Sequence, residues 1–223
     1  MALAWSVING LVTGFHNDLA RARSLYETIA LNGARRNGDG YSPLRQPDRR
    51  DAAQFIFFEI AAQFEHFCLE AFQIEVRYHF KVQPQRARHL MGSADRGLAG
   101  VMGWGAPKQL QSRARNLYGK NGFFARLETH LGEQTYLKLV NAHKIRNRVA
   151  HNGGNAVKDF NAILAQLQVP QPSRKGLSVG RLLMDYPTAA PQTDRWFFRL
   201  IAAYKALADT FLAYFRPLVP ATP

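Results

Sequence analysis

The amino-acid sequence predicts an all-α protein, a helical bundle with an additional N-terminal helix and long connecting loops. Two observations support this prediction. Apolar residues recur at steps of three and four along most of the 223-residue chain, whereas the two-residue alternation typical of strands is scarce. Glycine and proline interrupt the helical pattern at intervals, as they do where helices end.

The composition indicates a globular chain that favours a polyanionic partner. Hydrophobic residues make up 47% of the sequence, which is enough to fill a core. Lys and Arg together number 29 against 16 Asp and Glu, so the formal net charge is +13. This excess favours nucleic acid first, and an acidic membrane surface or an acidic protein second. The single cysteine, Cys68, excludes an internal disulfide.

No segment of the sequence has the pattern of a secretory signal or a membrane span. The apolar start lacks a basic region, and polar residues such as His16 and Asp18 interrupt it. An uninterrupted run of about 18 apolar residues, as a membrane helix requires, does not occur. We therefore expect a cytoplasmic protein that does not enter the membrane.

The predicted elements divide the chain into three parts. Residues 1–50 contain a helix over about 3–31 and a basic loop over 33–50, both expected to pack on the main domain. Residues 51–216 form the main helical bundle, and residues 217–223 form a tail. Within the bundle we predict helices over about 51–82, 85–91, 107–118, 122–131, 132–151, 155–168 and 192–216. The intervening residues 92–106 and 169–191 are predicted to be loops.

The helix predicted over 51–82 is apolar nearly all round, so we expect it to be the most buried one. Its polar residues fall within one arc and comprise Glu59, Gln63, His66, Glu70, Gln73 and Arg77. Glu65 projects on the far side, where a carboxylate is expected to be paired or to face a cleft. Its aromatic residues are expected in the core, and comprise Phe55, Phe57, Phe58, Phe64, Phe67, Phe72 and Phe80.

The helix predicted over 132–151 ends in a cluster of chemically active side chains. On a helical projection Asn141, Lys144 and Arg148 share one face, which we expect to be solvated. The opposite face carries His143, Arg146 and Ala150, and Asn147 flanks it. An arginine and a histidine on the inner face of a helix need either partners or a function.

Two interpretations of this helix end are open from spacing alone. In the first, Arg146 pairs with Glu65, and His151 only interacts favourably with the helix dipole. In the second, Arg146, Asn147 and His151 form a phosphodiester site. Arginine would bind the phosphate there, the amide would orient it, and histidine would transfer protons near neutral pH.

The segment Arg146-Asn147-x-x-x-His151 resembles the signature of the HEPN superfamily, in which an arginine and an adjacent polar residue precede a histidine. In that superfamily the motif lies at the end of a late helix of an all-α bundle. The resemblance covers about residues 50–216 and includes the inward acidic residue of an earlier helix, here Glu65.

The resemblance implies a metal-independent endoribonuclease of the toxin–antitoxin or antiviral-defence type, which leaves a 2′,3′-cyclic phosphate. By position, Arg146 would bind the scissile phosphate, Asn147 would orient it, and His151 would handle a proton. Glu65 and His143 would support the site, while Lys144 and Arg148 would contact RNA. The implied partners are RNA, a second copy of the chain that completes the active site, and an antitoxin or regulatory protein.

The sequence leaves two other functions open. A non-catalytic HEPN-like module would bind RNA or a protein, and a structural interaction protein would have no nucleic-acid role. HEPN toxins paired with nucleotidyltransferase antitoxins usually carry a tyrosine soon after the histidine, whereas here His151 is followed by Asn152 and two glycines. The spacing of the histidines does not match a zinc site, and no phosphate-binding loop is present, so we predict neither a metal nor a cofactor.

Overall fold

The structure, a computed structural model, describes residues 4–38, 40–94, 103–151, 153–186 and 194–219. These residues are mostly helical, so the predicted all-α fold class is confirmed. The helices, in chain order, are α1 (Trp5–Leu25), α2 (Gln46–Phe80), α3 (Pro84–Ala94), α4 (Pro107–Tyr118), α5 (Leu127–Leu131), α6 (Glu133–Ala150), α7 (Gly154–Gln166), α8 (Gln171–Arg174), α9 (Val179–Asp185) and α10 (Trp196–Phe215). None of these described helices is long and apolar enough to cross a membrane.

The segment predicted as a loop over 33–50 is structured, and that prediction is wrong. It contains an antiparallel hairpin of β1 (Ala34–Asn37) and β2 (Gly40–Pro43), in which Arg35 lies opposite Ser42. Gly38 in the turn has φ +60°, a left-handed conformation that glycine adopts without steric cost. The sequence Asn-Gly-Asp-Gly at this turn is a hairpin signal, which the prediction of a loop over 33–50 did not use.

The long helix α2 begins at Gln46, about one turn before the predicted start. Its first turns are fixed by the segment before them, because Arg49 donates from Nε to the carbonyl of Ala30 at 2.6 Å and from Nη2 to that of Leu31. These two carbonyls end the π-helical segment Tyr26–Leu31 that follows α1. Arg49 therefore satisfies acceptors that a helix end leaves without partners.

The second predicted loop, 169–191, also contains helices, namely α8 and α9. The hydroxyl of Ser178 accepts a hydrogen bond from the backbone N–H of Arg181 at 3.2 Å and so caps α9. Gly180, one residue inside this helix, lies against the backbone carbonyl of Arg50, where any side chain would collide. This approach brings α9 onto the start of α2. Residues 187–193 lie outside the described residues.

The contacts within the chain separate it into two compact units. The first comprises the described residues of 1–17, 62–140 and 203–223. Its core is aromatic, with Phe15 stacked on Phe67 at 4.6 Å between ring centroids and Phe64 stacked on Tyr204 at 4.0 Å. Burial of these large apolar rings supplies the main stabilisation of this unit.

The second unit comprises the described residues of 18–61 and 141–202. Here Tyr26 stacks on Phe197 at 3.8 Å, and its hydroxyl donates to the carbonyl of Leu183 at 3.3 Å. Burial raises the pKa of Tyr26, so this phenol stays neutral. Arg50 and Asp185 form a salt bridge at 2.6 Å in the same unit.

The side chains of α2 are buried only partly as predicted. Phe57, Phe64, Phe67 and Phe72 are buried, as expected. Phe55 is 64% exposed and Phe80 is 40% exposed, so their predicted place in the core is wrong. Conversely Gln73, predicted on the polar stripe, is only 5% exposed. Its amide keeps hydrogen-bond partners in this buried place, because its nitrogen donates to the carbonyl of Pro84 and its oxygen accepts from Arg88.

The first unit contains a fully buried carboxylate that the sequence analysis missed. Glu75 accepts hydrogen bonds from the hydroxyl of Tyr118 at 2.6 Å and from the backbone N–H groups of Phe123 and Phe124. The Nε2 of His79 lies 3.7 Å from its Oε1. Glu75 therefore holds the 3₁₀ turn Phe124–Arg126 at its N-terminal end, where a negative charge is favourable.

Candidate functional site

The candidate motif occupies the last turns of α6. This helix follows Gly132, which separates it from α5 with φ +74°, and it begins with Glu133, an acidic residue in the first turn. Its apolar side is formed by Tyr136, Leu139, Ala142 and Ile145, which are all buried. Burial of that side fixes the rotation of the helix, and so the directions of the motif side chains.

Two motif side chains, Arg146 and Asn147, form one hydrogen-bonded chain with His143 within the second unit. Arg146 donates from Nη1 to Oδ1 of Asn147 over a long 3.4 Å, and Nδ2 of Asn147 lies 3.0 Å from Nε2 of His143. The spacing of four residues between His143 and Asn147 puts them on the same face of α6. The guanidinium of Arg146 also lies over the ring of Phe58, with Cζ 5.4 Å from the ring centroid.

The contact with Asn147 and burial both concern the protonation of His143. The amide nitrogen of Asn147, which can only donate, faces Nε2 of His143, so this contact uses Nε2 as an acceptor. Burial, with a smaller contribution from the charge of Arg146, lowers the pKa of His143 to about 4. His143 is therefore neutral at physiological pH and acts as a hydrogen-bond acceptor.

His151 lies just beyond the end of α6, and its side chain is exposed. Its backbone continues the helical hydrogen bonding, since its N–H donates to the carbonyl of Asn147 at 2.9 Å. Its carbonyl accepts from Nη1 of Arg148 at 3.4 Å. The hydrogen bonds of His151 given above are those of its backbone, and its imidazole lies at the surface just beyond the helix end.

The remaining predicted site residues lie in different surroundings. Lys144 and Arg148 are half-buried on α6. Glu65 is half-buried in the first unit, where Gly105 lies so close that an added Cβ would be 2.7 Å from its Cγ. Arg146 belongs to the second unit, and its pairing with Glu65 stays a prediction.

Two assignments of faces on α6 are wrong. Asn141, predicted on the solvated face, is 6% exposed, and Ala150, predicted on the inner face, is exposed. Ala150 is the last residue of the helix, and the buried side of α6 ends before it, at Ile145. The contact between His143 and Asn147 was not predicted, although their spacing of four residues was a usable signal.

The chemistry available at the motif is that of cations and polar groups. Among the described residues there is no group of three His, Cys, Asp or Glu side chains arranged to hold a metal ion. Cys68 is buried, and burial raises the pKa of its thiol, so it is unreactive. Compared with known protein families, curated proteins and solved structures, the chain has no match. The function is therefore inferred from the residues themselves.

Proposed function

We propose that this protein is a metal-independent endoribonuclease of the HEPN type, acting in the cytoplasm in toxin–antitoxin or antiviral defence. The observation that supports the proposal most directly is the hydrogen-bonded chain from Arg146 through Asn147 to His143, followed by the exposed His151. An oriented guanidinium and an accessible imidazole at the end of the same helix suit the charge and the proton transfers of phosphodiester cleavage. The net charge of +13 suits a polyanionic substrate.

In this proposal each side chain of the motif has a distinct role. Arg146 binds the non-bridging oxygens of the scissile phosphate and stabilises the charge that grows on them in the transition state. Asn147 orients the phosphate through its amide, and His143 is a positioning residue, because its imidazole contacts the amide of Asn147. His151 exchanges protons with the reacting oxygens, because its imidazole is exposed and has nitrogen atoms that can accept and donate a proton.

The proposed reaction needs no external nucleophile. The 2′-oxygen of the RNA attacks the adjacent phosphorus and forms the new P–O2′ bond, while the bond to the 5′-oxygen of the next nucleotide breaks. The proton of the 2′-hydroxyl passes to a base, and the leaving 5′-oxygen receives a proton from an acid. The products are a 2′,3′-cyclic phosphate and a 5′-hydroxyl, so the atoms and charges balance without an oxidant or a water molecule.

A single exposed imidazole accounts for only one of the two proton transfers. We therefore propose that two copies of the chain form a dimer in which both His151 side chains reach one cleft, as acid and as base. An antitoxin or regulatory protein would restrain such an enzyme by covering the same cleft.

The test is incubation of the purified protein with total RNA in the presence of EDTA, beside His151→Ala and Arg146→Ala. We expect cleavage by the wild type, 2′,3′-cyclic phosphate ends, and a loss of rate of about 10²- to 10⁴-fold in each variant. His89→Ala is the matched control, since His89 is exposed on α3, outside the motif. It should cleave as the wild type does.

The possible outcomes separate the candidate functions. Equal cleavage by the wild type and by both motif variants would disprove the assignment of the site. Binding of RNA without any cleavage, by a folded protein, would favour the non-catalytic binding module instead. Absence of both binding and cleavage would favour a structural interaction protein.

A further inference from the structure

A second polar feature lies beside the end of α6, within the second unit. It is a pocket of about 510 Å³, formed by α6, α7 and the segment that joins α8 to α9. Three of its lining residues are cationic, namely Arg148, Arg174 and Lys175, and none of its described lining residues is acidic. Such a pocket has the charge and the size to take an anion that carries attached groups.

Two of the three cationic side chains of this pocket are oriented by hydrogen bonds to backbone carbonyls. Arg174 is half-buried and donates from Nε to the carbonyl of Val169 at 2.6 Å, which fixes the plane of its guanidinium. Arg148 donates from Nη1 to the carbonyl of His151. Lys175 is exposed at the rim. Two guanidinium groups held by hydrogen bonds and one exposed ammonium are suited to binding phosphate oxygens.

The backbone that carries Lys175 is also fixed. Gly176 has φ +74°, which turns the chain sharply, and Leu177 is buried as an anchor. Ser178 then caps α9 through its hydroxyl oxygen, and so leaves the hydroxyl proton as a donor at the pocket. The pocket is therefore formed by elements that are held in place, and does not depend on a loop closing over the ligand.

We propose that this pocket binds a phosphodiester group of the RNA strand next to the bond that is cleaved. The inference rests on the proposed function, because it assumes that the strand passes the end of α6. Arg148 supports it, since this residue lines the pocket and also bonds to the carbonyl of His151. The pocket would position the substrate, and its residues would take no part in the proton transfers.

The test compares two charge reversals that alter the net charge equally. Lys175→Glu changes the rim of the pocket, and Lys108→Glu changes an exposed lysine in the first turn of α4, in the first unit. The probe is a short single-stranded RNA with 2′-O-methyl groups, which cannot be cleaved, observed by fluorescence anisotropy in EDTA. Salt is varied between about 50 and 200 mM, because loss of a phosphate contact weakens the salt dependence of binding.

We expect Lys175→Glu to bind the probe about five- to tenfold more weakly, with the slope of log K against log salt reduced in magnitude by about 0.7. Lys108→Glu should stay within about twofold of the wild type, since it changes only the overall charge. The affinity of Lys175→Ala for the probe should lie between the affinities of the two charge reversals. Equal binding by the two charge reversals would overturn the inference.

The same proteins are assayed for cleavage of unmodified RNA, which separates this inference from the proposed function. Cleavage by the wild type with equal probe binding by both charge reversals would support the proposed nuclease activity and disprove the role of the pocket in RNA binding. Selective loss of binding in Lys175→Glu, without cleavage by the wild type, would support a phosphate-binding pocket on a protein that is not a nuclease.

Discussion

The polar cluster around Glu75 and the polar cluster around Arg146 differ in their exposure to solvent. Glu75 is fully buried and accepts three hydrogen bonds from groups of its own unit, two of them from the backbone. Arg146, Asn147 and His143 are half-buried and joined by hydrogen bonds, and His151, just beyond the end of the same helix, is exposed. Both clusters depend on long helices, α2 and α6.

The difference indicates what each cluster is for. A buried charge whose hydrogen bonds are made within the fold fixes local structure, and it has no capacity left for a ligand. A half-buried cation that is hydrogen-bonded to neutral groups keeps capacity for an anion. Stability should therefore depend mainly on the first cluster, and activity mainly on the second.

The largest expected effect is the loss of stability in Glu75→Ala. Without the carboxylate, two backbone N–H groups and the hydroxyl of Tyr118 lose their buried acceptor, which costs about 3–5 kcal/mol of unfolding free energy. Chemical denaturation monitored by circular dichroism measures this. Glu59→Ala, at an exposed site on the same helix, is the control and should cost less than about 0.5 kcal/mol. Equal losses would contradict the structural role of Glu75.

The second prediction concerns pH and the cluster at Arg146. The pKa of His143 is lowered to about 4 in the folded protein, below the ordinary value of 6.5, so the unfolded chain binds the proton more readily. The stability that neutral His143 contributes is present above pH 6.5 and is lost as the pH falls towards 4, by up to about 3 kcal/mol.

Denaturation of the wild type and of His143→Gln across this pH range measures that contribution. Glutamine offers an acceptor of similar reach to Asn147 but does not ionise, so the variant should lose less stability between pH 6.5 and 4. Parallel stability curves for the two proteins would show that His143 is not buried in its neutral form.

The third prediction separates charge from geometry at Arg146. Lysine at this position keeps the positive charge but cannot contact Asn147 and a phosphate with a planar, forked group. We expect Arg146→Lys to cleave RNA about 10- to 100-fold more slowly, with an unfolding free energy within about 1 kcal/mol of the wild type. Initial rates at saturating RNA, together with denaturation curves, test this. Full activity in the variant would mean that the charge alone is needed.

The smallest effect is expected in the hairpin, which belongs to neither cluster. Gly38→Ala places a side chain at φ +60° and should cost about 1 kcal/mol of unfolding free energy. RNA cleavage should not change, because the hairpin turn takes no part in the proposed site. A loss of cleavage at unchanged stability would mean that the hairpin belongs to the RNA-binding surface.

The sequence predicted those parts of the fold that local signals determine. The predicted bounds of α4, 107–118, match the structure, because Pro107 suits the first turn and Gly119, with φ +72°, ends the helix. The hairpin at Gly38 has an equally local signal in its glycines, but we predicted a loop there. Glu75 could not be found in this way, since the backbone groups that bind it lie 48 and 49 residues away in the chain.

The candidate site was predictable to a similar extent. Arg146, Asn147 and His151 were identified from the motif, and the contact between His143 and Asn147 follows from helical spacing. The cation–π contact between Arg146 and Phe58 was not predictable, because it joins two segments distant in sequence. Nor was the basic pocket, because it needs the fold to bring Arg148 beside Arg174 and Lys175.

Gly180 has a consequence for how variants of this protein would be interpreted. Any side chain there collides with the carbonyl of Arg50 and displaces α9, and with it Leu177 and Ser178, which line the basic pocket. In an unbiased mutational screen for RNA binding, Gly180 would therefore rank beside the cations of the pocket, although it has no side chain to contact RNA. A ranking of residues by their sensitivity to substitution alone would not separate residues that hold the pocket in place from residues that contact RNA.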